Sequence, residues 1–91
     1  MTEAHWDLIL AGPARRAVDR LPEKVAVAVL DFILGPLLEN PHRVGKPLLG
    51  DLTGFHSARV GTYRIVYEIG EDDHVVRVGF VDHRADVYRP R

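Results

Sequence analysis

Gly61-Thr62 separates two short stretches of strand character, Phe55–Arg59 and Tyr63–Ile69. A two-residue loop with glycine first has the makeup of a type II′ hairpin turn, and such a loop fixes a register, whereas a Val60-Gly61 loop would shift it and part Arg59 from Arg64. Val60 then lies opposite Tyr63, Arg59 opposite Arg64 and Ala58 opposite Ile65. Side chains alternate between the faces of a strand, so Tyr63, Ile65 and Tyr67 point one way and Arg64, Val66 and Glu68 the other. The apolar and aromatic set belongs under a covering layer, which leaves Arg59 and Arg64 together on an uncovered face. Like charges directly opposite one another are unfavourable. The pair must fork into solvent or share an anion.

The same arithmetic extends to a third strand, Val75–Val81, reached through Gly70-Glu71-Asp72-Asp73. It sets Ile69 opposite His74 and Arg64 opposite Gly79. Val76, Val78 and Phe80 fall on the covered side, and Arg77 joins the open face. Several arginines above a glycine floor suit a phosphate, which guanidinium groups grip bidentately.

The first half of the chain has a different period. Trp6-Asp7-Leu8-Ile9-Leu10 reads as a strand stopped by Gly12-Pro13. Ala14 to Leu21 reads as a short helix, and Glu23 to Leu34 as a longer one carrying Val25, Val29, Phe32 and Ile33 on one stripe. Pro22 joins them as a helical hairpin, and Gly35-Pro36 kinks or ends the second. His42 to Thr53 is loop-like. The expected fold is α+β in the order β-α-α-β-β-β. It is a mostly antiparallel sheet of about four strands, with a helical hairpin on one face and a single domain over residues 1–91.

Composition removes several classes of function. There is no cysteine, so disulfide frameworks and thiolate chemistry are excluded. No HExxH spacing, phosphate-binding P-loop or GxGxxG motif occurs, and the expectation is no metal and no cofactor. No apolar run approaches bilayer length and no signal-peptide pattern opens the chain, so a cytoplasmic protein without a membrane partner is expected. Twelve Lys/Arg against thirteen Asp/Glu give a net charge of −1, which argues against a generic polyanion binder. The charge is uneven, however. Between His42 and Arg64 stand Arg43, Lys46, Arg59 and Arg64 against the single acid Asp51. An anion site should be local and built from arginine.

Three segments together carry a likeness. They are Asn40-Pro41-His42-Arg43-Val44-Gly45-Lys46-Pro47-Leu48, then Gly54-Phe55-His56-Ser57-Ala58-Arg59-Val60-Gly61-Thr62-Tyr63-Arg64-Ile65-Val66-Tyr67, then His83-Arg84-Ala85-Asp86-Val87-Tyr88. The chain resembles the RelE toxins of the RelE/ParE superfamily. The resemblance implies the toxin of a type II toxin–antitoxin pair, neutralised by a small acidic antitoxin. It implies cleavage of mRNA in the ribosomal A site by metal-independent attack of a 2′-hydroxyl on the adjacent phosphate. Carried over by position, Arg64 stabilises the transition state, Arg84 stabilises the phosphate or protonates the leaving group, and Tyr88 stacks on or positions a base. Arg59, Lys46, Ser57 and Arg77 are the expected RNA contacts. Phe55 and Ser57 stand where well-studied members carry lysines, so the proton acceptor falls to His83, with His56 behind it. The alternatives are a ParE-like inhibitor of DNA gyrase without enzymatic activity, and a degenerate toxin that only binds antitoxin.

Overall fold

A computed structural model of the chain describes residues 5–83. Its elements are β1 (Asp7–Leu10), α1 (Gly12–Asp19), α2 (Glu23–Phe32), a π-helical turn (Ile33–Leu37) and α3 (Pro41–Val44). After these come β2 (Lys46–Pro47), a 3-10 turn (Gly50–Leu52), β3 (His56–Val60), β4 (Tyr63–Gly70) and β5 (Val75–His83). The five strands form one sheet in the order β1-β5-β4-β3-β2. β1 runs parallel to β5 and every other pair is antiparallel.

One face of this sheet is closed. Ala14 and Val18 of α1, Val29 of α2, and Ile33 and Leu37 of the π turn are buried against Ala58, Ile65, Tyr67, Val76, Val78 and Val81. The break at Gly35-Pro36 takes the form of that π turn. Proline supplies no N–H to the helical ladder and clashes with the carbonyl one turn back, so the backbone widens around Pro36 rather than stopping. Ile33 and Leu37 thereby stay on the buried side.

Two elements arise where only loop was expected. α3 is one turn long with Pro41 at its start, and β2 is a two-residue edge strand that pairs Lys46 with Ser57 and Pro47 with His56. Neither is long enough to show a hydrophobic period. A proline on the outermost strand is where a sheet tolerates it.

The first hairpin has the expected register, with Val60 paired to Tyr63, Arg59 to Arg64 and Ala58 to Ile65. Gly61 adopts φ +60°, the left-handed value its turn position requires. The second hairpin does not. Ile69 pairs with Val76 and Tyr67 with Val78, after which the register shifts between Val66 and Tyr67, and Val66 pairs with Phe80. Gly79 is the extra residue of a β-bulge. Beyond it every side chain of β5 changes face, so Val81 enters the core in the place expected for Phe80. Arg64 lies opposite Asp82, not opposite Gly79.

Candidate nucleic-acid interface

The opposite face of the sheet carries the polar residues. The pairings place Lys46, Ser57, Val66 and Phe80 in one row across β2–β5, and Arg59, Arg64 and Asp82 in the next. Between β3, β4 and the α3–β2 segment opens a cleft of about 580 Å³. Its cationic lining is Arg43, Lys46, Arg59 and Arg64, with Ser57 among its neutral residues, and among the described residues no acid lines it.

The α3–β2 wall is pinned from beneath. The Tyr67 hydroxyl, buried on the helix side of β4, donates a 2.6 Å hydrogen bond to the Pro41 carbonyl at the start of α3. A Cβ at Gly45 would collide with that hydroxyl and stand 2.9 Å from the Ser57 carbonyl oxygen. Only glycine lets the chain pass there, and Arg43 and Lys46 follow from that path. Burial pushes the Tyr67 phenol up to about 12, so it remains a donor at any ordinary pH.

Arg64 is the unusual group. It is 9% exposed, and among the described residues its nearest acid is Asp82, at 4.0 Å from Nη2 to Oδ2. That is beyond hydrogen-bond range. Its Nε is buried without a partner among the described residues. Buried cations are normally paired and hydrogen-bonded, and leaving one unsatisfied costs several kcal/mol by the usual order of magnitude. A guanidinium with donors to spare, beside a cleft walled by Arg43, Lys46 and the exposed Arg59, has the makings of an anion receptor. A bidentate oxyanion such as a phosphodiester supplies the acceptors that the described residues do not.

Of the residues expected in the site, Lys46, Ser57, Arg59 and Arg64 come together. Arg77 is on the open face but pairs across the sheet with Glu68 and forms a 3.5 Å ion pair with Asp73, away from the cleft. His83 is turned to the other side. It pairs with Tyr63 and sets its ring edge-on to that ring at 4.9 Å, because the Gly79 bulge has switched its face. His56 also faces the helices and stacks on Tyr67 with ring centroids 5.5 Å apart. Burial, and then the nearby His42, lower its pKa, with Glu71 opposing. Neither imidazole reaches the arginine row. Arg84 and Tyr88 lie outside the described residues. Arg43 was not singled out from the sequence, although its membership of the basic stretch from His42 to Arg64 was the available signal.

A five-stranded sheet with helices on one face and an arginine cleft on the other defines a class, and comparison with known proteins gives the same one. Residues 8–88 match the family described as the ParE toxin of the type II toxin–antitoxin system parDE. The Mycobacterium tuberculosis protein Toxin RelE is 47% identical over 90 residues, which is 98% of this chain and 93% of that protein. Toxin RelG of the same organism is 49% identical over 76 residues, 84% of this chain and 87% of that one. The crystal structure of the M. tuberculosis toxin–antitoxin complex RelBE2 contains a chain that superposes with a TM-score of 0.84 at 41% identity, covering 88% of this chain and 99% of that one. The chain belongs to the RelE family of type II toxins, within the RelE/ParE superfamily.

Proposed function

We propose that this toxin is a ribosome-dependent mRNA endonuclease, held inactive by a cognate antitoxin. The observation that carries the reading is Arg64: buried, short of acceptors among the described residues, and at the edge of a cationic cleft. In the reaction the ribose 2′-oxygen attacks the neighbouring phosphorus, which accumulates negative charge on its equatorial oxygens. The O5′ leaving group departs to give a cyclic phosphate and a free 5′-hydroxyl. Arg64 is placed to meet that charge with donors already fixed in a partly desolvated site, where such stabilisation is strongest. Arg59, Lys46 and Arg43 hold the flanking backbone, a role for which charge matters more than shape. Arg84 and Tyr88 complete the reading through the family resemblance.

The net charge of −1 does not oppose this, because Arg43, Lys46, Arg59 and Arg64 gather at one cleft whatever the balance of the whole chain. An antitoxin partner is proposed for this chain on the strength of the RelBE2 complex, which is a toxin with its antitoxin. Covering the cleft with a carboxylate-bearing segment would satisfy Arg64 as a phosphate does.

Mapping mRNA 5′ ends after induced expression tests the proposal, with Arg64→Ala and Arg84→Ala as controls. The expected result is cuts within translated codons that vanish with Arg64→Ala while that variant stays folded. Removing one preorganised charge stabiliser costs roughly 2.7–4 kcal/mol, about 10²–10³ in rate. Unchanged cutting by Arg64→Ala removes the assignment. Inhibition of gyrase supercoiling without mRNA cleavage would favour the ParE-type activity instead.

A further inference from the structure

The nuclease reading leaves the proton of the attacking 2′-hydroxyl without a destination. Phe55 and Ser57 have no basic group to offer, and His56 and His83 face the helices. Among the described residues two acids share the open face of the β4–β5 ladder. Glu68 is two rows from Arg64 and pairs across the sheet with Arg77. Asp82 is directly opposite Arg64, its side chain 38% exposed and its Oδ2 4.0 Å from Nη2. It owes that place to the bulge at Gly79, which turns Asp82 onto the arginine face and His83 off it.

We propose that Asp82 is the general base of the cleavage, an inference that rests on the ribonuclease reading above. The row order is Arg59, Arg64, Asp82. A phosphate gripped by Arg64 thus has a second guanidinium on one flank and, on the other, a carboxylate that lies beyond hydrogen-bond range of Arg64. The gap of 4.0 Å is too long for the carboxylate to be spent on Arg64 and short enough for it to reach a hydroxyl on the sugar next to the bound phosphate. Asp82 takes the 2′-hydroxyl proton, and the freed electron pair forms the bond from O2′ to phosphorus. The bond from phosphorus to O5′ breaks, and O5′ leaves with its electron pair and takes a proton from water. Asp82 then returns its proton to solvent, so the step needs no further reagent.

The test is single-turnover cleavage of ribosome-bound mRNA, with toxin affinity for the ribosome measured alongside. Asp82→Asn should bind at least as tightly, having lost a negative charge beside the phosphate, and cut at least about 100-fold more slowly. Asp82→Glu should recover part of the rate. Asp82→Ala should regain cutting as formate is added, since a small carboxylate can enter the vacated space; a merely structural role would show no such rescue. Cutting by Asp82→Asn at the rate of the unaltered chain, or no response of Asp82→Ala to formate, overturns the assignment. If the unaltered chain itself leaves ribosome-bound mRNA whole, the nuclease reading fails and takes this inference with it, an outcome separate from the other two.

Discussion

Two polar residues on β4, three positions apart, are both almost wholly buried and are treated in opposite ways. Tyr67 points under the helices, and its hydroxyl has a partner at 2.6 Å in the Pro41 carbonyl. Arg64 points to the open face with a buried Nε that has no partner and an acid no nearer than 4.0 Å among the described residues. Folding satisfies the first group completely and leaves the second wanting. The Tyr67 hydroxyl carries its partner within the chain, and Arg64 keeps its capacity for a ligand. Gly45 joins the two, because the path that seats α3 on Tyr67 also hangs Arg43 and Lys46 over the cleft.

The comparison can be broken from either side. The largest effect should come from Arg64→Ala, which ought to lower cleavage by about 10²–10³ and leave the melting temperature nearly unmoved. If the protein unfolds instead, Arg64 is architectural and the contrast is gone. Gly45→Ala comes next: forcing a methyl into the Tyr67 hydroxyl should cost about 1–3 kcal/mol of stability in denaturant titration, as overpacking usually does. It should also raise the RNA concentration needed for half-maximal cutting by displacing Arg43 and Lys46. Tyr67→Phe should cost about 1 kcal/mol, the typical net value of one hydrogen bond, with little change in cutting rate.

The smallest effects are those of pH. Tyr67 has its pKa raised from 10.0 to about 12 in the folded chain. Its contribution to stability is therefore whole below pH 10 and drains away as pH climbs through 12. His56 is shifted the other way, below 6.5. Its contribution is present above that value and is lost as pH falls through the depressed folded-state pKa. Thermal melts at pH 7 and pH 5 should show a decline that His56→Phe reduces.

The first hairpin was legible because Gly61 sits where a two-residue turn needs it, and a tight turn leaves its strands one register. That alone brought Arg59 and Arg64 together. The second hairpin was not legible. Its loop runs through His74, a non-glycine residue at φ 59°, and the Gly79 bulge adds a residue to one strand. Glycine within a strand signals a bulge or a close approach; the sequence pattern favours the second, a floor beside Arg64, and the structure has the first. One inserted residue reverses the facing of all that follow, which puts Asp82 on the arginine face; His83 is a candidate from the sequence on other grounds, the near-neutral titration of imidazole and the family resemblance. α3 and β2 were hidden for a different reason: their places come from the Tyr67 hydroxyl and the Gly45 path, contacts that are distant in sequence.

The most direct measurement is the Arg64 Nε–H resonance, followed by nuclear magnetic resonance while a 2′-deoxy dinucleotide is added to the folded toxin. If Arg64 is buried in order to hold a phosphodiester, that signal should move progressively and slow its exchange with water, with the Tyr67 ring signals staying fixed. An Nε–H signal that does not respond while the oligonucleotide shifts resonances elsewhere would place the phosphate at another site and contradict the account.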